Sequence, residues 1–268
     1  MSDVYAKISE VDQQIQERLV DVLEMRAADP RQRSMWEAYL AEIDFPQDAH
    51  VLEIGCGTGA VSRIVAQRPS VAHVTGIDPS PVFIARAREL SKDMQNISFE
   101  EGDGRALPFD AATFDVAVVH QALSHVPQPE QLVAEAFRIL RPGGWLAVFD
   151  GDYATATLST GKHDLLEACV QAFQTNFIHD CWIVRRLPQL LQSAGFNTRA
   201  LRSHGYVEAP ESAYMLTWVD RGADVLLNTG NIGKETAEAL KAEARRRSAA
   251  KEWFGHIAFA SILGQKPA

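Results

Sequence analysis

Between residues 51 and 152 short β-rich runs alternate with single helical segments, and no other feature of the chain constrains its fold as tightly. The runs are VLEIG, VTGID, ISFEEGD, FDVAVVH and WLAVFDGD, with helical stretches at about 60–67, 81–90 and 130–140 among them. Strands separated by helices of this length pair in parallel through right-handed crossovers. The expected fold class is therefore α/β, a doubly wound, mostly parallel sheet with helices on both faces. RPGG at 141–144 ends the last of these helices and turns the chain into the next strand, as Pro and Gly do beyond a helix C-terminus.

Three segments fall outside the alternation. Residues 1–48 place Ile8, Val11, Ile15, Leu19, Val20 and Leu23 at three- and four-residue steps, the spacing of an amphipathic helix. They are expected to cap a domain running from 49 to 268. The segments at about 153–184 and 208–251 are expected to be helical lids, because ligands of an open α/β sheet bind beyond the carboxyl ends of its strands and inserted segments can roof that place. NTRALRSHGYV and WFGHIAFASILGQ read as further strands.

Charge and composition narrow the partners. With 26 Lys+Arg against 35 Asp+Glu the chain carries −9, a sign that repels phosphate backbones and acidic lipid surfaces, so neither nucleic acid nor membrane is expected as a partner. The run Arg245, Arg246, Arg247 lies among Glu235, Glu238, Glu243 and Glu252 and reads as a solvated helix face. No apolar run reaches the roughly 18 residues of a bilayer span. The opening MSDVYAKISEVDQQIQERL also lacks the basic start and apolar stretch of a signal peptide. A cytoplasmic protein is expected, monomer or homodimer. Cys56, Cys169 and Cys181 form no CxxC pair, so they read as reduced fillers, without a disulfide framework or a metal site.

The chemistry is concentrated in VLEIGCGTGA, at the first strand-to-helix turn. Gly55, Gly57 and Gly59 let the backbone turn tightly and approach a ligand with no Cβ in the way, which implies a nucleotide-like ligand. By itself Gly55-x-Gly57-x-x-Ala60 also satisfies the dinucleotide pattern of an NAD(P)-dependent oxidoreductase. Two acids add specificity. Asp78, in VTGIDPS at the end of the second strand, can accept from both hydroxyls of a ribose, and Asp103, in EEGDGRALPFD after the third, can accept from an exocyclic amine. Each has a blander reading, Asp78 as a helix cap and Asp103 as the stabiliser of its GDG turn.

Over about residues 50–152 the chain resembles the class I S-adenosylmethionine-dependent methyltransferases, in particular the small-molecule branch typified by ubiquinone and menaquinone biosynthesis. VLEIGCGTG, GIDPS, GDGRALPF, FDVAVVHQALSHV and RILRPGGWLAVFD carry the resemblance. It implies a Rossmann-like fold, S-adenosylmethionine as cofactor and a small-molecule methyl acceptor. It also implies that Glu53, Gly55 and Gly57, with Gly59 in the same turn, surround the methionine part, and that Asp78 with Pro79 holds the ribose. Asp103 and Gly104 would face the adenine, and His120 would stand beside the sulfonium. Where many relatives have His-His-Leu or His-His-Val, this chain has Ser124-His125-Val126. A noncatalytic S-adenosylmethionine-binding module is the further alternative.

Methyl transfer asks a protein to align nucleophile, methyl and sulfur, to exclude water, and to remove a proton where the nucleophile carries one; no metal is needed. His125 and His120, after the fourth strand, are the expected proton acceptors or orienting groups, ahead of His179 and His204. DGDY after the fifth strand adds Asp152 and Tyr153 at the same rim, with Asp152 the expected carboxylate partner of the histidine. The place where base methyltransferases carry an Asn/Asp-Pro-Pro-aromatic segment reads His120-Gln121-Ala122-Leu123, which disfavours methylation of nucleic-acid bases.

Overall fold

The computed structural model describes residues 3–268. After a short 3-10 turn at Tyr5–Glu10 come two helices, α1 (Gln13–Ala28) and α2 (Pro30–Leu40). The single amphipathic helix expected here is divided for a local reason. The Asp29 carboxylate caps the backbone N–H of Arg31, and Pro30 occupies the first helical position, where its fixed φ suits a helix start and its missing N–H is not needed. Ile8 and Leu19 are buried as their spacing predicts, against Phe83, whereas Ile15 is exposed.

The alternating region folds as expected: β1 (Ala49–Ile54), α3 (Ala60–Ala66), β2 (Val71–Asp78), α4 (Pro81–Leu90), β3 (Ile97–Glu101), β4 (Phe114–His120), α5 (Pro129–Ile139) and β5 (Leu140–Thr157). Beyond it lie α6 (Leu166–Phe177), α7 (Ile183–Ser193), β6 (Asn197–Thr198), β7 (Arg202–Glu208), α8 (Leu216–Asn228), α9 (Lys234–Ala249) and β8 (Gly255–Gln265). NTRALRSHGYV thus forms two strands separated at 199–201, both paired to β8.

The sheet runs β3-β2-β1-β4-β5-β8-β6, with β7 also on β8. β3, β2, β1, β4 and β5 are parallel, and β8 is antiparallel to its neighbours. Period-two alternation divides the core. Val51, Val116, Val118 and Phe149 face α2, α6 and α8 on one side, and Leu52, Ala117, Val119 and Val148 face α5 and α7 on the other. Both faces are covered, which is why the parallel strands read as nearly continuous apolar runs. From β1 the chain winds outward through β2 and β3 and then returns to place β4 on the other side of β1. The crevice at that reversal, beyond the carboxyl ends of β1 and β4, is where such sheets hold ligands.

Candidate active site

A cavity opens at this crevice, lined from β1 and its turn by Glu53, Gly55 and Gly57, from β2 by Asp78 and Pro79, and from the loop after β3 by Asp103 and Gly104. His120 and His125 close it from the β4 side. Its roof comes from the amino-terminal segment, with Tyr5, Ile8, Leu23, Arg26 and Trp36. None of its lining residues comes from 153–184 or 208–251, so the segments expected as lids stand behind the roof and do not form it.

The glycine turn is built on left-handed backbone at Gly55 (φ +73°), Gly57 (φ +53°) and Gly59 (φ +76°), a region that L side chains avoid. A Cβ on Gly55 would lie 2.7 Å from that of Ala122, and one on Gly104 would lie 2.4 Å from Ile54 Cγ2. Gly59 has a different task from the one expected. It packs on Phe99, 2.6 Å from the position of a Cβ, and does not line the cavity. The turn's N–H groups are also partly spent within the protein: Gly55 and Cys56 donate to the Ile77 carbonyl at 2.8 and 3.0 Å.

The cap of α4 is Ser80, whose hydroxyl accepts from Phe83 N at 3.1 Å, and Asp78 lies buried at the end of β2. Its Oδ2 accepts from Gly57 N at 2.8 Å and its Oδ1 from Ser80 N at 2.9 Å, so it ties the glycine turn to the start of α4 while lining the cavity. Burial pushes its carboxyl up to about 6, against the two backbone bonds that favour the charged form. Glu53, also buried, accepts a hydrogen bond from the Ser62 hydroxyl, and burial drives it further, to about 8. Two buried acids with no cation bonded to them favour a ligand that brings positive charge or hydrogen-bond donors. Asp103 differs: its carboxylate is half-exposed and paired with Arg105 at 2.6 Å, a bond that holds it below the usual range.

The two histidines are not equivalent. His120 is stacked on Phe149 at 4.9 Å, with Trp36 edge-on at 4.7 Å. Its Nδ1 shares a 2.9 Å hydrogen bond with the Tyr39 hydroxyl, and its Nε2 lies 3.4 Å from the Gln121 amide nitrogen. Burial first, and the Arg26 charge second, hold it neutral. His125 has its Nδ1 bonded at 2.8 Å to the carboxylate of Asp3, leaving Nε2 without a hydrogen bond among the described residues. Asp3 itself is buried and also accepts from the backbone N–H of Tyr5 and of His179, at 2.9 and 2.8 Å.

The carboxylate partner of the histidine is therefore Asp3, and the expectation of Asp152 is corrected. The reason is the pleat of β5, which sends successive side chains to opposite faces. Asp152 points toward α7 and pairs with Arg185 at 2.9 Å, while Tyr153 points toward the site, its ring 6.4 Å from that of His125. Burial keeps the Tyr153 phenol protonated, far above its ordinary titration. Of the other two histidines, His179 has an exposed side chain, and His204 bonds Ser261 at 2.8 Å on the β7–β8 pair. Cys56 is buried beside Asp78 and Glu53, and burial raises its thiol, so it is no nucleophile.

Asp3, Tyr5, Arg26 and Trp36 had no sequence signal. They lie in a polar prelude whose pattern describes a helix face, and only the packing of that prelude over the strand ends brings them to the cavity.

Residues 52–148 match a protein family described as a methyltransferase domain. Over 240 residues, 89% of this chain and 66% of the other, the sequence is 27% identical to a 37.1 kDa protein in transposon TN4556 of Streptomyces fradiae. It is 35% identical to trans-aconitate 2-methyltransferase of Deinococcus radiodurans over 47% of this chain and 46% of that one. The chain thus spans about half to two thirds of the length of these relatives. Among solved structures, the fold is shared with a phosphoethanolamine N-methyltransferase 2 of Haemonchus contortus in complex with S-adenosylhomocysteine, at a TM-score of 0.55 and 15% identity, covering 88% of this chain and 53% of that one. The glycine turn, the two buried acids and the β4 histidines all fall within or beside the matched stretch, so the likeness to a methyltransferase domain is carried by the residues that line the cavity.

Proposed function

We propose that this cavity binds S-adenosylmethionine and that the protein transfers its methyl group to a small-molecule acceptor. The observation that carries the reading is the conjunction, at one sheet crevice, of the left-handed Gly55 and Gly57, the first with no room for a Cβ, and of Asp78 and Glu53, buried without cations bonded to them. These residues fit the cofactor's own chemistry, a ribose diol for Asp78 and an ammonium group for Glu53. When bound, the cofactor supplies a methyl group on a positively charged sulfur, open to in-line displacement. The part of the chain is then to position, to exclude water and to hold a proton.

His125 is the proton acceptor in this proposal. Asp3 at Nδ1 fixes the tautomer that presents a basic Nε2 and would stabilise the imidazolium once formed. His120, with both ring nitrogens engaged and its ring packed among aromatics, serves as a wall. A nicotinamide cofactor fits less well, because Glu53 stands where that reading has no use for a buried carboxylate. Calorimetric titration separates the two. Micromolar or tighter binding of S-adenosylhomocysteine without binding of NAD(P) is expected, and the reverse would overturn the assignment.

A further inference from the structure

Resting on that reading, we propose that the methyl acceptor carries an oxyanion, held by Arg26 in the cavity with Arg221 behind it, beside Tyr5 and His125. Arg26, on α1, lines the cavity half-buried, and its Nε is enclosed without a hydrogen-bond partner. Its guanidinium lies over the Tyr214 ring at 5.6 Å. Arg221, on α8, lies over the Phe177 ring at 5.5 Å and faces the Tyr5 phenol, which burial raises against the opposing pull of Arg221 and Arg26. Neither arginine has a carboxylate within ion-pair distance among the described residues, whereas the neighbouring Arg31 and Arg63 are paired with Asp29 and Glu24 at 3.1 and 3.2 Å.

In a chain of net charge −9, two half-buried guanidinium groups with no carboxylate to meet them carry a desolvation cost that an anionic ligand offsets. The nearby acid does not fill this role. Asp150 is buried with its oxygens on the backbone N–H groups of Ser124 and Gly151, at 3.0 and 2.7 Å, and burial raises its pKa toward the neutral form. The hydrogen-bond inventory agrees in sign. Trp36 Nε1, on the wall of the same cavity, is a second enclosed donor without an acceptor among the described residues. Tyr5, which both arginines face, has its ring 4.6 Å from that of the proposed proton acceptor His125. Arg26 and Arg221 would thus anchor an acceptor by its charged end and leave its nucleophilic atom near Nε2. Planar guanidinium forks suit carboxylate and phosphate alike.

The test is calorimetric titration of the S-adenosylhomocysteine-saturated protein with benzoate, phenyl phosphate and benzamide. At least one of the two anions is expected to bind ten times more tightly than the neutral amide, and which of them does so separates carboxylate from phosphate. Arg26→Gln and Arg221→Gln should each erase the preference, Arg26→Lys should keep most of it, and melting curves should show each variant folded. Equal affinity for all three probes, no binding by any of them at millimolar concentration, or a preference that survives both glutamine variants would overturn the proposal. So would a tenfold loss of S-adenosylhomocysteine affinity in Arg26→Gln with the anion preference intact, since that result gives the guanidinium to the cofactor's own carboxylate. Should the wild-type protein bind no S-adenosylhomocysteine, the cofactor reading fails, and the same three titrations on the unliganded protein still decide the anion site.

Discussion

At the scale of single residues, Asp78 sets the pH behaviour of the site. Its folded pKa, about 6, lies above its ordinary value of 3.8, so the folded state holds the proton more tightly than the unfolded chain. In the ligand-free protein this costs nothing below pH 3.8; the penalty grows as pH rises and is complete above about 6, with Glu53 extending the decline to about 8. Ribose hydroxyls prefer the ionised acceptor, so affinity for S-adenosylhomocysteine should run the other way, weakening by up to about tenfold for each pH unit below 6. Calorimetry from pH 5 to 8 is expected to show that slope, and Asp78→Asn is expected to flatten its lower part. Asp78→Ala is a poorer probe, because it also strips Gly57 and Ser80 of their acceptor. At His125, replacement by Gln should lower turnover by about 10²–10⁴-fold with cofactor affinity nearly preserved. Asp3→Asn should lower turnover less, by loosening the hold on the tautomer that presents Nε2, with cofactor affinity nearly preserved. Asp78 and the glycines were legible in the sequence because a turn at a strand end dictates their type. Asp3 was not, since nothing local distinguishes it from a solvated acid; its function comes from a contact across 122 residues.

Among the elements, α6 and α8 pack closely behind the roof of the cavity. Phe173 stacks on Trp218 at 5.1 Å, and a Cβ on Gly222 would sit 2.0 Å from the Cys169 carbonyl oxygen. Gly222→Ala must therefore drive the helices apart, and a destabilisation of about 1–3 kcal/mol is expected, the usual cost of overpacking. Thermal unfolding measures it, and an unchanged melting temperature would show that the helices can separate freely. The periodicity of α6 and α8 identified both as helices but left their partner open, because an apolar stripe states that a face is covered without naming what covers it. The same limit explains Ile15, which keeps the helical spacing of its neighbours yet points to solvent.

For the whole molecule, the location of the roof changes what should respond to ligand. The expected lids at 153–184 and 208–251 supply none of the cavity's lining, while residues 5–26 cover it. Hydrogen exchange with and without S-adenosylhomocysteine should show protection concentrated in about 3–28 and 54–59, with α6 and α8 little altered; the opposite distribution would restore them as the moving cover. The parallel half of the sheet was readable from its alternation, while the antiparallel half depends on where β8 inserts. That insertion bears on the order in which the protein is made. β8 lies between β5 and both β6 and β7, although it is the last strand in the chain. A nascent chain that has reached residue 250 has every parallel strand in place, yet it leaves β5 as an open edge and gives β6 and β7 nothing to pair with. Until β8 arrives, that edge is the surface most prone to mispairing. A ribosome pausing just before it would test the cell's chaperones more than a pause at any earlier helix.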